Sequence, residues 1–218
     1  MLLNAYAAED WPEVLLSAER VRADPVMPSL YKQSVGAFAV DIMQAEALAR
    51  TGRVDQARAL LATTPPECVP CLGARGLVES LGGNARAAEI WAQRAVRRSR
   101  DLPGAYQDWG RARLARGDAA AALHAFRSAQ QRGPRWADPF KGGGDALARL
   151  GRGEDAVRSY AEAARRAPRW GGLQLAWGTA LARQRKPNEA RARFSAASRL
   201  GLSARDRATL SVLAVGAR

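Results

Sequence analysis

A period of 34 residues is the feature of this 218-residue sequence that most limits its fold. Small residues recur at this spacing in three columns, and an aromatic ring recurs in a fourth. The columns are Gly76, Gly110, Gly144 and Gly178; Ala88, Ala122, Ala156 and Ala190; Ala95, Ala129, Ala163 and Ala197; and Phe126, Tyr160 and Phe194. A fixed period of roughly 20 to 50 residues is typical of arrays in which each repeat packs on its neighbours.

Each period carries the pattern of two helices joined by a tight turn. A glycine in the first helix and an alanine early in the second allow the two backbones to approach closely. Glycines such as Gly117 and Gly151 lie between them, where a helix end accepts a positive φ. Pro134 and Pro168 end the second helix because proline lacks the N–H that the helix needs. The predicted fold class is all-α, built from stacked antiparallel helix hairpins.

The order of these columns resembles the tetratricopeptide repeat (TPR) family, whose unit has the same length. The resemblance implies a right-handed superhelical solenoid whose first helices line a concave groove. Unit 69–102 departs from the pattern by carrying Ala92 where the ring belongs, and the last unit has Arg185 in place of the turn glycine. We place four units at 69–102, 103–136, 137–170 and 171–204.

The period slips before residue 69, so we assign residues 1–68 to divergent TPR-like hairpins, the first of which looks truncated. One long helix is predicted over 29–51, followed by a short helix from Val54 to Ala62. Leu2, Leu3 and Tyr6 are expected to form an exposed end that an upstream portion, a partner or a second copy would cover. Residues 205–218 are predicted to form a C-terminal capping helix.

The family resemblance implies a non-catalytic scaffold that holds a peptide or helix of a partner protein in its groove, as part of a larger regulatory or assembly protein. Charges at these spacings could bind an acidic or amphipathic peptide through charge-assisted hydrogen bonds, or could be solvated residues on an open surface. The groove positions of the family map onto Gln107, Asp108, Arg111, Lys141, Asp145, Arg149, Thr179 and Arg183.

Nucleic acid or another polyanion is the alternative partner. Lys and Arg number 34 against 21 Asp and Glu, a net charge of +13, and residues 69–218 hold 28 of the cations and 12 of the anions. Cations near the ends of second helices also complement the helix dipole, however, which favours a structural explanation. The arginines concerned are Arg94, Arg97, Arg98, Arg100, Arg165, Arg166 and Arg169.

A Cys-x-x-Cys motif, Cys68 and Cys71, stands where a first helix begins, and it raises a third interpretation as a thiol-redox protein. Redox proteins with this motif place it in a βαβ unit, which this chain lacks, so a structural disulfide is preferred. Two cysteines and the single His124 are too few for a zinc site. We therefore predict no metal, no cofactor and no enzymatic activity.

No apolar stretch is long enough to insert in a membrane, and a cytoplasmic location is expected.

Overall fold

The computed structural model describes residues 1–7, 9–36 and 38–215, and in these ranges all regular structure is helical. Contacts divide the chain into two compact units, Met1–Arg100 and Asp101–Arg218. The first unit contains α1 to α7 and the second contains α8 to α14. The helices are α1 Leu2–Ala7, α2 Trp11–Ala23, α3 Met27–Val35, α4 Ala39–Arg50, α5 Val54–Ala62, α6 Val69–Leu81, α7 Ala85–Arg98, α8 Pro103–Ala115, α9 Ala119–Arg132, α10 Asp138–Arg149, α11 Gly153–Arg166, α12 Gly171–Arg183, α13 Pro187–Arg199 and α14 Ala204–Val215.

In the first unit, helices α1 and α2, α4 and α5, and α6 and α7 pack as neighbouring pairs. The expected exposed end at Leu2, Leu3 and Tyr6 is wrong for Leu2, which has no exposed surface. Leu2 packs in a core cluster with Val14 and Ala18, because α1 folds back onto α2. Leu3 is exposed, and the Tyr6 hydroxyl donates a hydrogen bond to Glu46 of α4.

The single long helix predicted over residues 29–51 is also wrong, because two helices, α3 and α4, occupy this range. Gly36 ends α3 with a φ of 102°, a conformation that glycine adopts readily and that no α-helix contains. The backbone therefore changes direction at Gly36. The predicted helix from Val54 to Ala62 coincides with α5.

The second unit consists of the hairpins α8–α9, α10–α11 and α12–α13, with α14 against α12 and α13. Its core depends on aromatic rings placed beside glycines. Phe126 of α9 is fully buried, and a Cβ added at Gly110 or Gly142 would lie only 2.6 or 2.5 Å from its ring. Phe126 thus fills a space that α8 and α10 leave open together. Residues 216–218 of the predicted capping helix lie outside the described residues.

The same arrangement recurs along the second unit. A Cβ at Gly144 would lie 2.6 Å from the ring of Tyr160, and one at Gly178 would lie 2.6 Å from the ring of Phe194. In each hairpin the ring comes 16 residues after its glycine. The glycine and ring columns are therefore two halves of one packing contact.

Candidate functional site

The candidate site is the first-helix face of the second unit, which α8, α10 and α12 form with α10 in contact with both neighbours. It carries seven of the eight predicted groove residues at one or two helical turns from each other. We define the first-helix face by Asp108, Arg111, Lys141, Asp145, Arg149, Thr179 and Arg183.

Gln107 is a correction to the predicted set, since it is buried with only 3% of its surface exposed. The equivalent position one turn into α12 holds Leu175, which is 4% exposed. Lys141 occupies the same column in α10 and is partly exposed, so the column is buried in α8 and α12 but not in α10. The Oε1 atom of Gln107 has no hydrogen-bond partner among the described residues.

Arg111 lies between two carboxylates at the α8 end of the face. Its guanidinium is 3.8 Å from Asp108 on the same helix and 3.4 Å from Asp138 at the start of α10. Half of the Arg111 side chain is exposed, so each of these two ion pairs contributes at most about 1 kcal/mol to the free energy of unfolding. Asp138 joins the site here, although the sequence pattern did not select it.

Lys141, Asp145 and Tyr160 form a polar cluster in the middle of the face. Lys141 Nζ donates to Asp145 Oδ2 at 2.8 Å, and the Tyr160 hydroxyl donates to Asp145 Oδ1 at 2.8 Å. Burial raises the pKa of Tyr160 well above its usual value, and the Asp145 charge raises it further. Tyr160 is therefore a neutral donor, and both oxygens of Asp145 are occupied.

The sequence assigned Tyr160 only to packing, since it occupies the ring column. The hydroxyl of Tyr160 could have indicated a polar role, because Phe126 and Phe194 in the same column have no hydroxyl. A buried tyrosine hydroxyl normally requires a hydrogen-bond partner, and that partner is on the adjacent first helix.

Arg149 and Arg183 are one period apart at the ends of α10 and α12. Both guanidinium groups act on the Tyr160 hydroxyl, where their charges partly oppose the rise in its pKa. Arg149 donates a hydrogen bond to the carbonyl of Leu114 in α8, and Arg183 is exposed. Neither arginine has a carboxylate partner within the part of the chain that the structure describes.

Thr179 lies one turn before Arg183 on α12. Its hydroxyl donates to the carbonyl of Leu175 at 2.9 Å, and the residue is partly exposed. Thr179 therefore lies beside Arg183 along α12 without neutralising its charge.

Among the described residues near the ends of second helices, four arginines contact acids of their own unit: Arg94, Arg98, Arg165 and Arg166. Arg94 and Arg98 lie 3.3 and 3.6 Å from Glu67 in the first unit. Arg166 lies 2.8 Å from Glu162 in the second unit, and its guanidinium carbon is 3.7 Å from the centre of the Phe140 ring. This surface therefore offers a polyanion fewer unpaired cations than its composition indicates.

The two cysteines of the first unit form a disulfide at the start of α6. Cys68 is the N-cap residue, and its sulfur accepts a hydrogen bond from the Cys71 N–H at 3.3 Å. Cys68 is partly exposed, whereas Cys71 has no exposed surface. Cys68 also lines a cavity of about 350 Å³ together with Tyr6, Phe38, Ile42, Met43 and Pro70.

Residues 1–7, 9–36 and 38–215 contain neither a metal-binding cluster nor a membrane-spanning helix. No group of three or more His, Cys, Asp or Glu residues there is placed to hold a metal ion. In the same ranges, no helix combines the length and apolar character that crossing a bilayer requires.

Comparisons with known proteins identify the fold. No protein-family model matches the sequence, and no curated protein sequence matches it. Among solved structures, TTC0263, a thermophilic TPR protein of Thermus thermophilus, superposes with a TM-score of 0.71 at 20% identity, covering 81% of this chain and 96% of its own. Pseudomonas aeruginosa PilF superposes with a TM-score of 0.64 at 16% identity, covering 77% and 78%.

A third structure is YrrB, described as a TPR protein with an unusual peptide-binding site. It superposes with a TM-score of 0.51 at 14% identity, covering 78% of this chain and 89% of its own. Identities of this size are informative about the fold alone. Together with the 34-residue period and the helix hairpins, they show that this chain has the tetratricopeptide repeat fold.

Proposed function

We propose that the protein is a non-catalytic scaffold that holds a peptide or helix of a partner protein on its first-helix face. The observation that carries this proposal is the pair Arg149 and Arg183, which present two positive charges on adjacent first helices without a carboxylate partner among the described residues. The reported peptide-binding site of YrrB supports peptide binding as a use of this fold. In this proposal the protein acts within a larger regulatory or assembly system.

The charges of the face favour an acidic segment as the occupant. Lys141 is neutralised by Asp145, and Arg111 is shared between two aspartates. The surplus positive charge therefore lies at Arg149 and Arg183. A carboxylate of the partner that accepted hydrogen bonds from both would gain roughly 1.5 to 3 kcal/mol for each charge-assisted bond, if it were partly desolvated.

The test compares two double variants that change the net charge equally. Arg149→Glu with Arg183→Glu reverses the charge of the face, whereas Arg127→Glu with Arg135→Glu reverses two exposed charges outside it. Wild type and both variants are immobilised, and bound proteins from the producing cells are quantified by mass spectrometry. We expect the amount of bound partner to fall about tenfold or more on the first variant, because two charge-assisted bonds are replaced by repulsion. The amount bound by the second variant should equal that bound by wild type.

The nucleic-acid alternative predicts the opposite order. Arg127, Arg135 and Arg169 are exposed on the second-helix side or in the adjoining turns, and they would contribute to a polyanion surface. Binding of single-stranded RNA is measured across a salt series with the same variants. Loss of affinity confined to Arg127→Glu with Arg135→Glu, with a steep salt dependence, would replace the scaffold proposal with this one.

A further inference from the structure

We propose that the cavity beside the Cys68–Cys71 disulfide is a site for reversible covalent capture of a partner protein. The occupant is an apolar segment that carries a reduced cysteine, and its thiol exchanges with the disulfide to form a mixed disulfide with Cys68. This site belongs to the first unit, and it does not depend on the function proposed for the first-helix face.

The accessibility of the two sulfur-bearing residues differs in the way that such an exchange requires. Cys68 is partly exposed and lines the cavity, whereas Cys71 has no exposed surface. A thiolate entering the cavity therefore reaches Cys68 before Cys71.

The cavity selects for apolar groups. The side chains of Phe38, Ile42, Met43 and Pro70 line it with Cys68 and the ring of Tyr6. The hydroxyl of Tyr6 is already bonded to Glu46, so the ring rather than the polar atom is what Tyr6 contributes. A volume of about 350 Å³ accommodates one or two large apolar side chains, and it lies at the lower end of typical ligand pockets.

The exchange step requires no outside oxidant. The thiolate of the partner attacks Cys68 Sγ, a new bond forms between these two sulfurs, and the bond from Cys68 to Cys71 breaks. Cys71 leaves with the electron pair as a thiolate and takes up a proton from water, which replaces the proton lost by the partner thiol. Cys71 is the third residue of α6 and Cys68 is the N-cap of the same helix, so the leaving sulfur stays beside the mixed disulfide.

The step is reversible within the same site. Cys71 stays in the first turn of α6, and its thiolate can attack the mixed disulfide, re-form the bond to Cys68 and release the partner. Capture is therefore strongest for a segment that also gains binding energy in the cavity, since an unbound thiol is expelled at once.

The experiment uses two eight-residue peptides, each with a single cysteine, which is flanked by Leu and Phe in one peptide and by Ser in the other. In the Cys71→Ser variant, Cys68 is first converted to its disulfide with nitrothiobenzoate. Attack by a peptide thiol then releases a coloured thiolate whose rate is followed by absorbance. We expect the apolar peptide to react about tenfold faster than the serine peptide, because burial of one large apolar side chain contributes that factor or more.

Two further measurements decide the assignment. The oxidised wild-type protein is mixed with the apolar peptide and quenched in acid, and mass spectrometry should locate the adduct on Cys68. Phe38→Ala should remove most of the preference for the apolar peptide and leave the rate with glutathione unchanged. Equal rates for the two peptides on the unaltered cavity, an adduct on Cys71, or no adduct at all would overturn the proposal, whether or not Phe38→Ala folds.

Discussion

The packing of Phe126 between two glycines makes a sharp prediction for Gly110→Ala. The new Cβ would lie 2.6 Å from the ring of Phe126, closer than carbon atoms can approach. The ring has little room to withdraw, because a Cβ position at Gly142 lies 2.5 Å from it. One methyl group therefore forces α8, α9 or α10 to shift.

The expected cost follows from two opposing effects. Overpacking a well-filled core costs about 1 to 3 kcal/mol. Alanine has a higher helix propensity than glycine, which returns up to about 1 kcal/mol. We therefore expect Gly110→Ala to lower the free energy of unfolding by roughly 1 to 2 kcal/mol.

Gly104→Ala is the matched control, since it makes the same substitution in the first turn of the same helix. No atom lies within 4 Å of a Cβ at Gly104. Its stability should stay the same or rise by up to about 1 kcal/mol. Both variants and the wild type are compared by urea unfolding followed by far-ultraviolet circular dichroism.

A double-mutant cycle with Phe126→Leu separates the packing effect from other causes. If the ring is what the methyl group meets, the double variant should be more stable than the sum of the two single changes implies, by about 0.5 kcal/mol or more. The reasoning fails if Gly110→Ala is as stable as Gly104→Ala, or if the two changes in the cycle are additive.

Two further changes test the polar contacts of the second unit. Tyr160→Phe removes the donor to Asp145 and should lower the free energy of unfolding by about 1 kcal/mol, and an unchanged urea midpoint would contradict this. Asp118 accepts the Ala121 N–H at 3.0 Å as the N-cap of α9, and that bond holds the pKa of Asp118 below its usual value of 3.8. The stability that ionised Asp118 contributes is fully present above pH 3.8. It is lost as the pH falls through the lower pKa that Asp118 has in the folded protein. The advantage of wild type over Asp118→Asn in thermal unfolding at pH 7 should therefore shrink toward about pH 2, and a constant difference would refute this.

The fold of the second unit was predictable because its columns are residues whose size decides the packing. Glycine and aromatic rings recur 34 residues apart, and the ring of each hairpin contacts the glycine 16 residues before it. The break at Gly36 was not predictable by the same means. A glycine within a helical pattern is compatible with a continuous helix, and a sequence pattern does not specify φ.

The sequence could predict which single positions belong to the candidate site, but it could not predict their burial or their contacts with other hairpins. The mapping of groove positions found Arg149 and Arg183, because their spacing is the period itself. It placed Gln107 on the surface, since burial at that column depends on how closely the first helices pack. It missed Asp138, which reaches Arg111 from the next hairpin across 27 residues of sequence.

The hydrogen bond from Arg149 to the carbonyl of Leu114 links occupancy to order at the end of α8. That carbonyl lies in the last turn of α8, beyond the regular bonding of the helix, and it also accepts the Gly117 N–H of the following turn at 3.1 Å. An anion that took the guanidinium from this carbonyl would leave the helix end held by the turn alone. Binding of an anion at Arg149 would then favour fraying of the α8 end. By linkage, a substitution that loosened the α8 end would also increase the affinity of Arg149 for the anion.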